Sequence, residues 1–301
     1  MKLSEIIYWA RNKGFVFEFT GNEDELISGF SSLSHYKEDT ITWIKKKMPE
    51  DKLVNGIKCA VVSKGITADI PNCFFAENSK ELFFEILKEF FSSKEEKEAI
   101  GKHTYIGTNV SICDDVTIGS NCSLDGEITI GKGTVIENNV VLMNKVTIGK
   151  NCIIHSGTVI GKDGFGFAFD KDNIPVKVPH FGGVVIGDRV EIGANCTIDR
   201  GTIDDTVIGD DVKIDNLALI AHNVIIEAGT MILGCTSLGG SVHIGSKSYI
   251  GPHVFVKNQT SVGDNTLVGM ATVISEPIES DLVFAMNQKR PVKMKDYRKL
   301  L

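Results

Sequence analysis

"VTIGSNCSLDGEITIGKGTVIENNVVLMNKVTIGKNCII", residues 116–154, returns to an aliphatic side chain every six positions: Ile118, Leu124, Ile130, Ile136, Leu142, Ile148 and Ile154. Glycine commonly follows, as in "VTIGSN" and "VTIGKN", and a small or β-branched residue stands two before, such as Val116, Cys122, Val146 or Cys152. A period of six fits neither an amphipathic helix nor a simple strand alternation. It fits a short strand and a turn, repeated, with the aliphatic residue pointing inward and the turn kept small. Three such sides close a coil of eighteen residues, and neighbouring coils stack at the ordinary strand spacing of ~4.8 Å. The phase reaches back to Ile106 and Ile112 and forward to Ile160, and resumes at Ile186, Ile192 and Ile198. The step from Ile198 to Ile208 is ten residues where twelve would keep phase. Beyond it Ile214, Ile220, Ile226, Ile232, Leu238, Ile244, Ile250, Val256, Val262, Val268 and Ile274 continue the register. The pattern predicts a mainly β chain built on a parallel β-helix. Cys122, Cys152 and Cys196 fall in the slot two before the aliphatic position and read as small core residues.

The excursion "GKDGFGFAFDKDNIPVKVPHFGGVV" (161–185) interrupts the repeat with four phenylalanines and two prolines. A loop of this length in a regular solenoid points to function; the alternative is that Phe165, Phe167 and Phe169 cover one face of the prism. Residues 1–100 follow another pattern. "KLSEIIYWARNKG" predicts a helix ending at Gly14, "ELISGFSSLS", "DTITWIKK" and "CAVVS" predict strands, and "NSKELFFEILKEFFSS" predicts an amphipathic helix from Asn78 or Ser79. The expected organisation is an α/β cap domain (1–100), the β-helix (101–276) and a short basic tail (277–301). The charged stretch 93–102 marks the first boundary.

The 301 residues carry a net charge of −7, which gives no general reason to bind nucleic acid or anionic lipid. The seven cysteines are scattered, without zinc-like spacing, and suit reduced thiols in a cytoplasm; no metal site is expected. "MKLSEIIYWARNKG" turns polar too early for a signal peptide, and no apolar run approaches the ~20 residues of a membrane span.

In "DNLALIAHNV" (215–224) the repeat loses its glycine and gains His222. Eighteen residues separate Ile220 from Leu238, so His222 should lie beside Gly240 of the next coil. An imidazole can take the proton from an attacking amine near neutral pH. A glycine N–H can approach a developing oxyanion where a side chain would block it. A histidine in such a turn also has a plain reading as a solvated residue, which is the one given to His103, His155, His243 and His253.

Over nearly its full length the chain resembles the UDP-3-O-(3-hydroxyacyl)glucosamine N-acyltransferases of lipid A biosynthesis. The resemblance rests on "SGTVIGKDGFGFAFD", "GGVVIGDRVEIGANCTIDRGTIDDTVIGDDVKIDN", "IAHNV" and, in the cap, "ISGFSSLSHYKEDTITWI". It implies a left-handed parallel β-helix, a cytoplasmic homotrimer, and transfer of an acyl group from a phosphopantetheine thioester to the amine of a nucleotide-linked amino sugar. It places the general base on His222 and the oxyanion amide on Gly240. Asp215 and Asn216, in the matching "DN", become donor-site candidates against a plain role in bonding turn amides. No permanently bound cofactor is implied; the donor is an acyl carrier protein or coenzyme A thioester.

Departures from the family are as informative. Ungapped counting puts Gln259 at the family's second active-site histidine, and glutamine can orient a substrate but cannot titrate. The base-stacking ring falls on Trp43, which accepts uracil or thymine alike, whereas the neighbouring recognition positions read Lys46 and Pro49. The tail stops at Leu301 with Lys289, Arg290, Lys293, Lys295, Arg298 and Lys299 against Asp296, suited to an acidic carrier protein or to phosphates. These departures leave open a relative that moves a short acyl group from coenzyme A onto a dTDP- or UDP-amino sugar for a surface glycan such as O-antigen. A non-catalytic hexapeptide scaffold is the third alternative.

Overall fold

In the computed structural model, residues 1–46, 56–92 and 98–285 and the backbone of Val292–Lys293 are described. Pro49 and the basic positions Lys289, Arg290, Lys295, Arg298 and Lys299, with Asp296, lie outside them, as does the Lys293 side chain. The chain divides into two compact units, Met1–Glu96 and Lys97–Leu301.

In the first unit, α1 (Leu3–Asn12) buries Leu3, Ile6, Ile7 and Ala10 along one face, the spacing expected of an amphipathic helix. Gly14 then leaves the helix at φ 86°. Five strands follow: β1 (Phe17–Thr20), β2 (Gly29–Phe30), β3 (Thr40–Ile44), β4 (Cys59–Ser63) and β5 (Asn72–Ala76). They form one sheet in the order β1-β5-β4-β3-β2, with β1 antiparallel to β5 and the other pairs parallel. α2 (Ser79–Phe91) packs Leu82, Phe83 and Ile86 into the same core. The stretch "ELISGFSSLS", expected as a strand, keeps only Gly29–Phe30 in the sheet, and Leu33–His35 form a 3-10 turn. Its serines compete with the ladder: Ser31 Oγ lies 2.6 Å from Thr40 Oγ1 and accepts from the Lys37 N–H.

The second unit is the solenoid, with three faces of short parallel strands. The first face runs through Thr117–Ile118, Val135–Ile136, Ile153–Ile154 and their successors up to Leu267–Val268. The second runs through Ser123–Leu124, Val141–Leu142, Val159–Ile160, Thr197–Ile198, Leu219–Ile220, Ser237–Leu238 and Phe255–Val256. The third carries Val146–Ile148, Val184–Ile186, Thr206–Ile208, Ile225–Ile226 and His243–Ile244. From Ile118 onward the aliphatic register residues are buried in one continuous core, with Ile106 and Ile112 partly buried against it. The slot two before each register residue most often takes a cysteine, valine or threonine, and several of the threonines satisfy their buried hydroxyls on glycine carbonyls of the next coil. Thr134 donates to Gly149 O at 2.8 Å and Thr158 to Gly193 O at 2.7 Å. Burial pushes the Cys152 and Cys196 thiols above their ordinary range, in keeping with a packing role.

The irregular step after Ile198 is an insertion, where the sequence pattern had suggested a shortfall. Ile198 pairs with Ile220 and Ile186 with Ile208, so these coils hold twenty-two residues. Ile198 and Ile208 lie on adjacent faces, six residues apart in a regular coil, and the four extra residues bulge at the corner between the second and third faces. The excursion leaves from that same corner one coil earlier, between Ile160 and Ile186. Within it Phe167–Phe169 and Pro175–Lys177 form an antiparallel hairpin. Phe165 and Phe169 are 87% and 72% exposed, so in the single chain these rings do not cover a prism face.

Candidate active site

The corner between the second and third faces, followed from coil to coil, carries the excursion, the four-residue insertion, His222, Gly240 and Asn258. A cavity of about 400 Å³ opens along it, lined by Lys162, Phe165, Asp199, His222, Gly240 and Gln259 among others. The pairing of Ile220 with Leu238 sets His222 beside Gly240, as the eighteen-residue register requires. The approach is so close that a Cβ built on Gly240 would stand 2.7 Å from both Cε1 and Nε2 of the His222 ring. Any side chain at 240 would have to displace the ring.

Hydrogen bonds fix the tautomer of His222. Asn223 Nδ2 donates to Asp204 O, and Asn223 Oδ1 accepts from the Thr202 N–H and lies 2.9 Å from the Thr202 hydroxyl. The amide orientation is thereby set, and the Asn223 oxygen, 3.0 Å from His222 Nδ1, can only accept. Nδ1 of the neutral ring therefore carries the proton, and Nε2 keeps its lone pair on the edge toward Gly240.

On other corners some of the matching amides are capped from the next coil, Ser120 N–H by Asn138, Ala194 N–H by Asn216 and Ser246 N–H by Asp264. The flanking Gly239 and Ser241 amides bond to Val256 O and His222 O. Among the described residues, no group accepts from the Gly240 N–H. A lone pair and an uncapped amide thus meet at one cavity. On the wall beside them Lys162 Nζ lies 2.7 Å from Oδ1 of the buried Asp199, off the hydrogen-bond direction, and donates to Asp163 O.

The other candidates fall in different places. Gln259 lines the cavity, exposed, at φ 58° in the column that continues Asn223 and Ser241, and its N–H bonds to Gly240 O at 2.9 Å. Asp215 and Asn216 occupy the corner between the first and second faces and do not line the cavity. Asp215 accepts from the Asn216 and Gly234 amides, and Asn216 caps Ala194. In the first unit the Trp43 Nε1–H donates to Ser79 Oγ at 3.0 Å, and the indole stacks on Phe83 at 6.5 Å and 18°. Half-buried, Trp43 lines a cavity of about 600 Å³ with Lys45, Ser63, Asn78 and Lys80. Lys46 is exposed outside this lining, and its neighbour Lys45 takes the wall position.

Sequence reasoning missed His180. It sits in the aperiodic excursion, and its ring lies 5.5 Å from that of His222 at 81°. No spacing rule could have paired residues forty-two apart across an irregular loop. Of the histidines read as plain turn residues, His155 bridges Glu137 and Glu191 at 3.1 Å each, and His243 belongs to a strand and meets Glu227. Among the described residues no cluster of three or more His, Cys, Asp or Glu side chains is placed to hold a metal, and no helix is long and apolar enough to cross a membrane.

Fold and corner together define a hexapeptide-repeat solenoid with a histidine-bearing cleft. Residues 127–162 match the bacterial transferase hexapeptide family, and residues 109–143 and 183–216 match the hexapeptide repeat of succinyl-transferase. The particular proteins it is similar to include the UDP-3-O-acylglucosamine N-acyltransferase of Xanthomonas euvesicatoria, at 46% identity over 74 residues, 25% of this chain. The enzyme of the same name from Coxiella burnetii is 47% identical over 73 residues, 24% of this chain. The matched stretch spans 22% and 21% of the length of these two relatives. Among solved structures, UDP-N-acetylglucosamine O-acyltransferase from Moraxella catarrhalis aligns with a TM-score of 0.61 at 23% identity, over 68% of this chain and 78% of its own. That likeness is one of fold.

Proposed function

We propose that the protein is an N-acyltransferase that moves an acyl group from a phosphopantetheine thioester to the amine of a nucleotide-linked amino sugar. The observation that carries this reading is the pairing of the free His222 Nε2 with the uncapped Gly240 amide at one cavity. His222 Nε2 takes the proton as the amine nitrogen attacks the thioester carbonyl. The C–N bond forms, the Gly240 N–H stabilises the oxyanion, and the C–S bond then breaks as protonated His222 returns its proton to the departing sulfur, releasing the thiol. Gln259, on the cavity wall, orients the acceptor by hydrogen bonding. Trp43 stacks on the nucleotide base in the cavity of the first unit.

Asp215 and Asn216, on another corner, are assigned to the donor, an acyl carrier protein or coenzyme A thioester. This assignment requires the adjacent wall of a second copy, and the resemblance to the N-acyltransferases makes that assembly a homotrimer. The short matches to the UDP-3-O-acylglucosamine N-acyltransferases support a lipid A-type acceptor and a 3-hydroxyacyl donor.

The test is thiol release by the purified protein from acyl carrier protein and coenzyme A thioesters, offered with UDP- and dTDP-amino sugars. Release that depends on the amino sugar, with an amide product, is expected. A protein that consumes no thioester under any pairing is a scaffold, and the reading fails.

A further inference from the structure

His180 is only 5% exposed, and its Nδ1 lies 2.9 Å from the Val178 carbonyl, which can only accept. The neutral ring therefore holds its lone pair on Nε2. That nitrogen is buried and, among the described residues, has no hydrogen-bond partner. Buried acceptors are nearly always paired, so an unpaired one calls for a reason. The neighbouring ring is that of His222, with centroids 5.5 Å apart and nearly perpendicular.

The excursion is shaped to bring the two rings together. A Cβ on Gly164 would stand 2.8 Å from His222 Cδ2 and 3.1 Å from His180 Nε2, and one on Gly166 would stand 2.9 Å from His180 Cε1. Both glycines of the "GFG" turn are therefore needed for the loop to descend this far. His222 is held by Asn223 at Nδ1, by Gly240 along its Nε2 edge, and by Gly164 and His180 on the remaining side.

We infer that His180 is a positioning residue: its buried ring sets the orientation of His222, and its Nε2 lone pair favours His222 in the protonated form. The proposal rests on His222 being the base of the acyl transfer. The proton passes from the acceptor amine to His222 Nε2, while His180 neither gains nor loses one. Its unpaired nitrogen is a fixed partial negative charge beside the ring on which positive charge develops.

The other charges packed around the pair are Lys162 and Asp199 on the cavity wall, Lys177 Nζ on the Gly164 carbonyl, and Arg200 on the Gly182 carbonyl. All of them are untouched by substitution at 180, so differences between variants report on the imidazole alone.

The experiment compares wild type with His180→Phe, which keeps a ring but no acceptor, and His180→Gln, which restores an acceptor near the Nε2 position. In the substrate-free protein the ring resonances of both histidines are followed by NMR against pH. Turnover is measured alongside. The His180 signals of the wild type should respond as His222 titrates. His222 should titrate at lower pH in the Phe variant and return toward wild type in the Gln variant. With the amino sugar, kcat should fall about ten-fold or more in the Phe variant while KM stays level, the mark of a misplaced base.

Independent titration of the two rings in the wild type would overturn the proposal, even if the Phe variant does not fold. So would a Gln variant no better than Phe. A wild type inactive on every thioester would sink the acyltransferase reading instead, and the NMR comparison would still decide for His180.

Discussion

Asn223 Oδ1, 3.0 Å from His222 Nδ1 and already receiving the Thr202 N–H, dictates which imidazole nitrogen is free. Asn223 itself sits at φ 60°, a conformation open to glycine. Asn223→Gly should therefore keep the backbone turn while releasing the ring and losing the Asn223 side chain's hold on Thr202 and Asp204. The expected result is a fall in kcat of about ten- to a hundred-fold, with the far-UV spectrum unchanged. Normal turnover would mean that another contact sets the tautomer.

Replacing the base itself should cost more. A positioned general base contributes roughly 10²–10⁴-fold, so His222→Ala should lose about that much in turnover. Nucleotide-sugar affinity should survive, because the residue lies outside the buried aliphatic column. Gln259→Ala should be milder, since an amide cannot serve as base. The reverse ranking of the two variants would sink the assignment.

Gly240→Ala tests the register directly. The new Cβ would overlap the His222 ring at 2.7 Å, and no positive φ complicates the substitution. We expect kcat to drop about ten- to a hundred-fold as the ring is pushed aside. A crystal structure of the variant should show His222 in a different rotamer. An unmoved ring would contradict the close packing described above.

Trp43→Ala should weaken nucleotide-sugar binding by about 1–3 kcal/mol if a base stacks on the indole. Because Trp43 also bonds Ser79 and stacks on Phe83, some loss of thermal stability should accompany it. Calorimetric titration separates the two effects. A loss of stability with unchanged affinity would confine Trp43 to the core.

The Glu137–His155–Glu191 bridge gives a pH signature. Partial burial works against the charged His155 ring, but hydrogen bonds and attraction from Glu191 and Glu137 outweigh it and raise its pKa. Burial likewise opposes the Glu137 carboxylate, and the Ser156 hydroxyl, His155 and the Ser156 amide outweigh it and lower the pKa. The histidine's contribution is full below the ordinary imidazole range and is lost as pH rises through the raised value. The glutamate's is present above the ordinary carboxylate range and is lost as pH falls through the lowered value. Both act together between about pH 4.5 and 6.5. His155→Gln should lower stability there by about 0.5–1 kcal/mol, given how exposed the three groups are. Melting curves of variant and wild type should converge near pH 9. A gap that is constant with pH would point to packing instead.

The solenoid was legible because its period is a geometric constraint. Once eighteen residues close a coil, every contact between coils follows by counting, and His222 beside Gly240 is one such contact. Where counting stops, so does legibility. His180 lies beyond the hairpin of the excursion, in a stretch with no period, and its approach to His222 depends on two glycines whose role only the coordinates reveal. The step at Ile198 misled because a sequence cannot say which face the next aliphatic residue joins. In the first unit, Lys45 and Lys46 are indistinguishable in composition. The end of β3 decides which of them lines the Trp43 cavity. The brief strand at Gly29–Phe30 was overread because alternation was visible while serine side-chain bonds to the backbone were not.

Both insertions leave the prism from the same corner, and coils on either side keep their pairing regardless. Since each coil touches only its immediate neighbours, a corner can be lengthened or rewritten without disturbing the stack above or below. The architecture therefore separates two inheritances: a rigid ruler that spaces the imidazole and the amide, and a replaceable graft that closes over them. Divergence in acceptor choice can then proceed by exchanging the graft, and transplanting residues 161–185 between related solenoids becomes a rational route to altered specificity.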